Sequence, residues 1–186
     1  TKPEDATFAA RVISGWLTHY LTADTPQGTA PVEHVRVTET GEGKFQNAVQ
    51  AGRHRLFADE PESAGGLDSG ASPYDFLSIA LGACTSMTLR IYAEHKKLTL
   101  GRITVDVSLA KIHARDCEEC TEPERGSGAK IDRFERVISV EGEVSDELRA
   151  KIIEIAAKCP VHRTLETVAK VATVVRPEGE SMLRQL

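Results

Sequence analysis

Apolar and polar residues alternate along several stretches of the chain and recur with helical spacing along others. Between residues 33 and 59, "HVRVTET", "KFQNAVQ" and "RHRLFADE" are separated by "GEG" and "AG", the pattern of a β meander. "RITVDVSLAKIHA" alternates cleanly and predicts a strand, and "IDRFERVISVEGEV" predicts its returning partner in a long hairpin. The segment between them, "RDCEECTEPERGSGAK", reads as a charged loop.

Helical spacing appears first at residues 6–21, with apolar side chains at Phe8, Val12, Ile13, Trp16, Leu17, Tyr20 and Leu21. A stronger helix start follows the loop "PESAGGLDSGAS". Ser72 is placed to cap, Pro73 fits the first helical position, and Asp75 stands where a capping box needs its acid. That helix is predicted to run to about Lys97, and its first half is apolar nearly all round, as expected of a helix buried on several sides. Ser145 caps "DELRAKIIEIAAKC", Pro160 ends or kinks it, "VHRTLETVA" allows a further turn or two, and "KVATVV" predicts a last strand. Meander, helix, hairpin, helix and strand together define an α+β fold. The Pro-, Gly- and Thr-rich stretch after residue 21 reads as a linker, which divides the chain into residues 1–32 and a main domain at 33–186.

Composition narrows the function classes. A chain of 186 residues with 40% hydrophobic and 27% charged residues is long enough for a sizeable core. The net charge of −5 argues against a phosphate-binding surface, so nucleic acid is not an expected partner. No uninterrupted apolar run reaches a membrane span, and the N-terminus lacks a secretory pattern. Four cysteines without an export signal point to a reducing compartment, expected to be the cytoplasm.

Cys84 and Cys159 each lie in or at the end of a predicted helix, among small and apolar residues. Alone, such a thiol usually fills space. Packed side by side, two such helices would bring the sulfurs within disulfide reach, with Cα atoms about 4.4–6.8 Å apart.

The stretch "SPYDFLSIALGACTSMTLRIYAEHK", the hairpin and then "IAAKCPVHRTL" resemble the OsmC/Ohr family of thiol peroxidases. The match rests on Pro73 and Asp75 at a helix start, the triplet Gly82-Ala83-Cys84, and Cys159-Pro160, over about residues 33–176. The resemblance implies an intertwined homodimer, with antiparallel sheets wrapped around two long central helices and active sites at the interface. It implies that Cys84 attacks an organic hydroperoxide and becomes a sulfenic acid, which Cys159 resolves to a disulfide. A small dithiol such as a dihydrolipoyl group restores the enzyme, and no cofactor is bound. Each step has a reason. Thiolate is the nucleophile, so Cys84 is expected to have a lowered pKa, and a sulfenic acid condenses readily with a nearby thiol. An apolar pocket favours alkyl or fatty-acid hydroperoxides.

The family also uses an arginine from the N-terminal β region and a glutamate ten residues before the first cysteine. Here Tyr74 holds that position and Asp75 follows, so capping ranks ahead of catalysis for Asp75, and Glu60 is an alternative acid. Arg53 and Arg55 alternate onto one strand face, and Arg55 is the preferred candidate. Without such an acid, a binding protein that kept the fold and lost turnover is a competing reading.

Cys117 and Cys120 fall outside the peroxidase pattern. With His113, or with Cys159 and His162, they have zinc-like local spacings; they also fit a second redox pair that feeds the central disulfide. The plainer expectation is a pair of exposed thiols whose pKa values the acidic neighbours raise, and no metal is assigned. A metal-binding or redox-sensing module is thus the alternative from a different class. Residues 6–22 resemble the closing helix of an α/β-hydrolase domain fused upstream, although no Gly-x-Ser-x-Gly elbow is present to support it.

Overall fold

The computed structural model describes residues 32–175, apart from 119, 127 and 168. The N-terminal helix and most of the linker lie outside the described residues. The chain divides into two compact units, residues 1–70 and 71–186.

The first unit is the expected meander. Strands β1 (Val35–Glu39), β2 (Asn47–Ala51) and β3 (His54–Ala58) pair antiparallel in sequence order, with Val37 opposite Val49 and Val49 opposite Leu56. Arg53 sits in the β2–β3 turn rather than on β3, so it does not share a strand face with Arg55. The loop after β3 is organised by Asp59, which is 2% exposed. Its carboxylate accepts from the backbone N–H of Glu60 (2.8 Å), Leu67 (3.1 Å) and Ser69 (3.3 Å), and from Ser69 Oγ (2.8 Å). Burial pushes the Asp59 pKa up, but these four donors outweigh it and hold it below the ordinary 3.8. The chain closes so tightly there that a Cβ at Gly66 would lie 1.8 Å from the Glu60 carbonyl oxygen.

The second unit is built on the long helix α1 (Pro73–Lys96) and the hairpin of β4 (Ile103–His113) and β5 (Lys130–Val140). The capping box closes as expected. Ser72 Oγ accepts from Asp75 N–H, while Asp75 Oδ2 accepts from Ser72 N–H (2.9 Å) and Ser72 Oγ (2.7 Å). Lys97, in the left-handed region at φ 55°, ends the helix. By length and composition α1 is apolar enough to cross a membrane. In this chain it packs on β4 and on the helix α3 (Asp146–Ala156) instead. Leu89 of α1 is fully buried with Ile152 and Ile155 of α3, and Ile103, Ile138 and Val140 close the core from the hairpin. Each such side chain contributes about 1.5–3 kcal/mol.

Two elements differ from expectation. The loop between β4 and β5 contains a 3-10 turn (Ala114–Asp116) and a short helix α2 (Glu122–Gly126). Residues 170–175 form no strand; Val171, Val174 and Val175 are 88%, 75% and 94% exposed. A strand exists only with a ladder partner, and among the described residues the second sheet holds β4 and β5 alone. Pro160 opens a new helix, α4 (Pro160–Glu166), in the place where a further turn was expected.

Candidate active site

Cys84 is carried by the middle of α1, where the helix comes close to the hairpin. A Cβ built on Gly82 would lie 3.3 Å from Val107 Cγ2 and 3.7 Å from the Val105 carbonyl oxygen. Leu81 and Thr85 flank this contact and are buried, whereas Cys84 keeps part of its surface. Cys159 is the residue that opens α4, just beyond the end of α3, and it is fully buried. Its N–H bonds to the Ala156 carbonyl (3.2 Å), which fixes the corner between the two helices.

The two sulfurs are hydrogen-bonded to each other, and both thiols are free. Their surroundings are unequal. Burial and the bond to Cys159 push the Cys84 pKa up, against weaker help from Val161 N–H and Thr88. Burial also disfavours the Cys159 thiolate, but the bond from Cys84, the N–H groups of His162 and Val161, and Thr85 outweigh it and pull that pKa down. The expected activation of Cys84 is therefore reversed within the chain. Two thiols in contact behave as one coupled acid that loses its first proton early and its second late. The surroundings favour the thiolate at Cys159 over the one at Cys84.

Arg136 of β5 reaches this pair from the hairpin. Its Nη1 donates to Thr85 Oγ1 (2.8 Å) and to the Ala156 carbonyl (3.1 Å), and its Nη2 lies 3.2 Å from His162 Nδ1. His162 Nε2 in turn lies 3.1 Å from Glu166 Oε2. Sequence patterns alone do not single out Arg136 or Thr85. A signal existed, since Arg136 is in phase with Phe134, Ile138 and Val140 on the inward face of an alternating strand.

Other candidates fall elsewhere. Asp75 is engaged on Ser72, nine residues and about 13 Å of helix from Cys84 at 1.5 Å per residue. Those bonds hold its carboxyl below the ordinary range. Arg55, paired across from Gln50 on β3, and Glu60 belong to the first unit, whereas both free cysteines belong to the second.

Cys117 and Cys120 form a disulfide, and Cys117 is buried, which corrects the expectation of exposed free thiols. Lys111, near the end of β4, lies 5.7 Å from the Tyr74 ring centre, so the hairpin's far end sits beside the start of α1. Tyr74 is ten residues, or about 15 Å of helix, from Cys84. Among the described residues no group of three or more His, Cys, Asp or Glu is gathered to hold a metal ion.

Comparison with known proteins agrees with this architecture. Residues 66–174 match the family model of OsmC-like proteins, more than half of the chain. The chain belongs to the OsmC family. Its fold is similar to that of a Psychrobacter arcticus protein named for an osmotic stress induced and detoxification response, at TM-score 0.54 and 20% identity, covering 75% of this chain and 90% of that one. It is also similar to an organic hydroperoxide resistance protein from Elizabethkingia anophelis, at TM-score 0.52 and 20% identity over 74% and 91% of the two chains. An OsmC-like protein from Mycoplasma pneumoniae gives TM-score 0.52 and 18% identity over 76% and 90%. No curated protein sequence matches the chain.

Proposed function

We propose that the protein is a cysteine-based peroxidase that reduces organic hydroperoxides to alcohols, with Cys84 as the attacking sulfur and Cys159 as the resolving one. The observation that carries this reading is the sulfur-to-sulfur hydrogen bond between a partly exposed Cys84 and a fully buried Cys159. The exposed thiol is the one a peroxide meets, and the buried one is its proposed resolving partner. The family and the name of the Elizabethkingia neighbour support organic hydroperoxides as the substrate class.

The pair enters the reaction as a monoanion, with the proton on Cys84. That proton passes along the hydrogen bond to Cys159, leaving a thiolate on Cys84. The thiolate attacks the terminal oxygen of the hydroperoxide; a sulfur–oxygen bond forms and the oxygen–oxygen bond breaks. The departing alkoxide takes the proton back from Cys159 and leaves as the alcohol. Cys159, again a thiolate, attacks the Cys84 sulfenic acid, and hydroxide leaves to become water with a proton from solvent. The net change consumes the dithiol monoanion, one proton and the hydroperoxide, and yields the disulfide, the alcohol and water. An external dithiol such as a dihydrolipoyl group then reduces the disulfide by exchange.

The working unit is a homodimer in the cytoplasm. Exposed Val35, Val37, Leu56 and Phe57 on the meander, and Ile79, Met87 and Ile91 on α1, are in keeping with burial by a second copy. The deciding experiment is stopped-flow loss of the Cys84 thiol with cumene hydroperoxide against hydrogen peroxide. Fast, organic-selective oxidation that ends in a Cys84–Cys159 disulfide supports the reading. Oxidation no faster than that of a free thiol overturns it and favours a binding or redox-sensing role.

A further inference from the structure

Arg136 poses a problem of charge. It lies on the inward face of β5, opposite Val107, among apolar side chains. A guanidinium in such a place needs an anion. Its hydrogen-bond partners are a hydroxyl, a carbonyl and an imidazole nitrogen, and it makes no ion pair with a carboxylate among the described residues. Glu166 stands behind His162, on the far side of the ring. What lies on the other side of both Thr85 and His162 is Cys159.

We propose that Arg136 is a positioning residue for Cys159: acting through Thr85, His162 and the Ala156 carbonyl, it orients the groups that favour a thiolate on the buried sulfur and hold it toward Cys84. The balance of donors and acceptors supports this. A guanidinium only donates, so Arg136 Nη1 fills a lone pair of Thr85 Oγ1 and leaves that hydroxyl its own hydrogen to give. The hydrogen has two acceptors, the Leu81 carbonyl at 2.7 Å and the Cys159 sulfur. A charge on the sulfur draws it there, and a hydroxyl polarised by a cation is the stronger donor. His162 Nδ1 faces the same guanidinium and must accept, which leaves the ring proton on Nε2 toward Glu166. The ring is thereby fixed, and with it the His162 backbone N–H that points at Cys159. The third bond, to the Ala156 carbonyl, ties the same guanidinium to the end of α3 and so to the Cys159 corner.

The groups that face Cys159 are therefore Cys84 and Thr85 from α1 and the N–H groups of Val161 and His162 from α4. Arg136 of β5 stands behind Thr85 and His162, and Glu166 lies on the far side of the His162 ring. The effect of Arg136 on the rate of disulfide closure rests on the peroxidase reading; its effect on the ionisation of Cys159 does not.

The test titrates Cys159 as the sole thiol, in protein carrying Cys84→Ser, Cys117→Ser and Cys120→Ser, by ultraviolet thiolate absorbance against pH. Arg136→Met and Thr85→Val should each move the midpoint up by about 1–2 units, the effect of losing hydrogen bonds that favour the thiolate. Arg136→Lys and Thr85→Ser should keep most of the parental value. With Cys84 restored, closure of the disulfide in Arg136→Met should slow at least roughly tenfold at neutral pH and recover at alkaline pH. A merely structural role would slow it at every pH. An unmoved midpoint in both Arg136→Met and Thr85→Val overturns the proposal. If Arg136→Met does not fold, the contrast between Thr85→Val and Thr85→Ser decides. If the parent protein shows no fast hydroperoxide reaction, the peroxidase reading falls, while the shift of the titration midpoint still decides the role of Arg136.

Discussion

The thiols of Cys84 and Cys159 interact, one from the middle of α1 and the other from the residue just before α4, yet only Cys84 has a face open to solvent. This asymmetry assigns different fates to the two serine variants. Cys159→Ser should still react once with cumene hydroperoxide and leave a sulfenic acid that a dimedone probe traps. Cys84→Ser should consume no hydroperoxide above the rate of a free thiol. Equal labelling of the two variants would remove the distinction between attacking and resolving sulfur.

The pH dependence follows from the shared proton. The reactive form is the monoanion, created when the pair loses its first proton, and the Cys159 site is shifted below the ordinary thiol value. The rate of thiol loss should level off above that lowered value and fall as pH drops through it. The second proton leaves late because the Cys84 site is shifted up. A rate that instead climbs through the ordinary thiol range near 8.5 would mean an isolated cysteine acts alone.

Gly82 sets the distance between α1 and the hairpin. Gly82→Ala should be close to neutral in urea unfolding. Helix propensity gains up to about 1 kcal/mol there, offset by a contact at 3.3 Å to Val107 that must relax. Gly82→Val should lose about 1–3 kcal/mol by overpacking. It should also slow disulfide closure, since the displaced helix carries Cys84.

Ser72 and Asp75 bond each other at the start of α1. Ser72→Ala and Asp75→Ala should each lower unfolding free energy by about 0.5–2 kcal/mol, with matching small effects on the hydroperoxide step. Loss of that step in Asp75→Ala alone would give the carboxylate a chemical role beyond capping.

Asp59 holds the loop that follows β3. Its stabilising effect is present above the ordinary carboxylate value of 3.8 and is lost as pH falls through the lower folded value. Asp59→Ala should therefore expose residues 60–69 to limited proteolysis at neutral pH, as strong acid does to the parent protein. Unchanged cleavage would mean the loop is held by other contacts.

Most of the fold was legible because its signals are local. Ser72, Pro73 and Asp75 specify a helix start within four residues, and alternation marks β4 and β5 without knowledge of their partners. "KVATVV" is rich in β-branched residues, but a strand also needs an edge to pair with, and that is not written in six residues. The five residues of α2 are too few to carry a period. At the site, the two cysteines were found through a family pattern. Arg136 meets Thr85 across 51 positions of sequence, a contact that only packing creates. Its place in phase with Phe134 and Ile138 was the one clue that a charge faced inward.

The pairing of the four cysteines has an electrochemical consequence. Thiol–disulfide exchange requires one sulfur to strike another. Within a chain, Cys117 and Cys120 are closed as a disulfide in the loop between β4 and β5, while Cys84 on α1 and Cys159 before α4 are free thiols. The chain thus presents two redox addresses held in two different oxidation states.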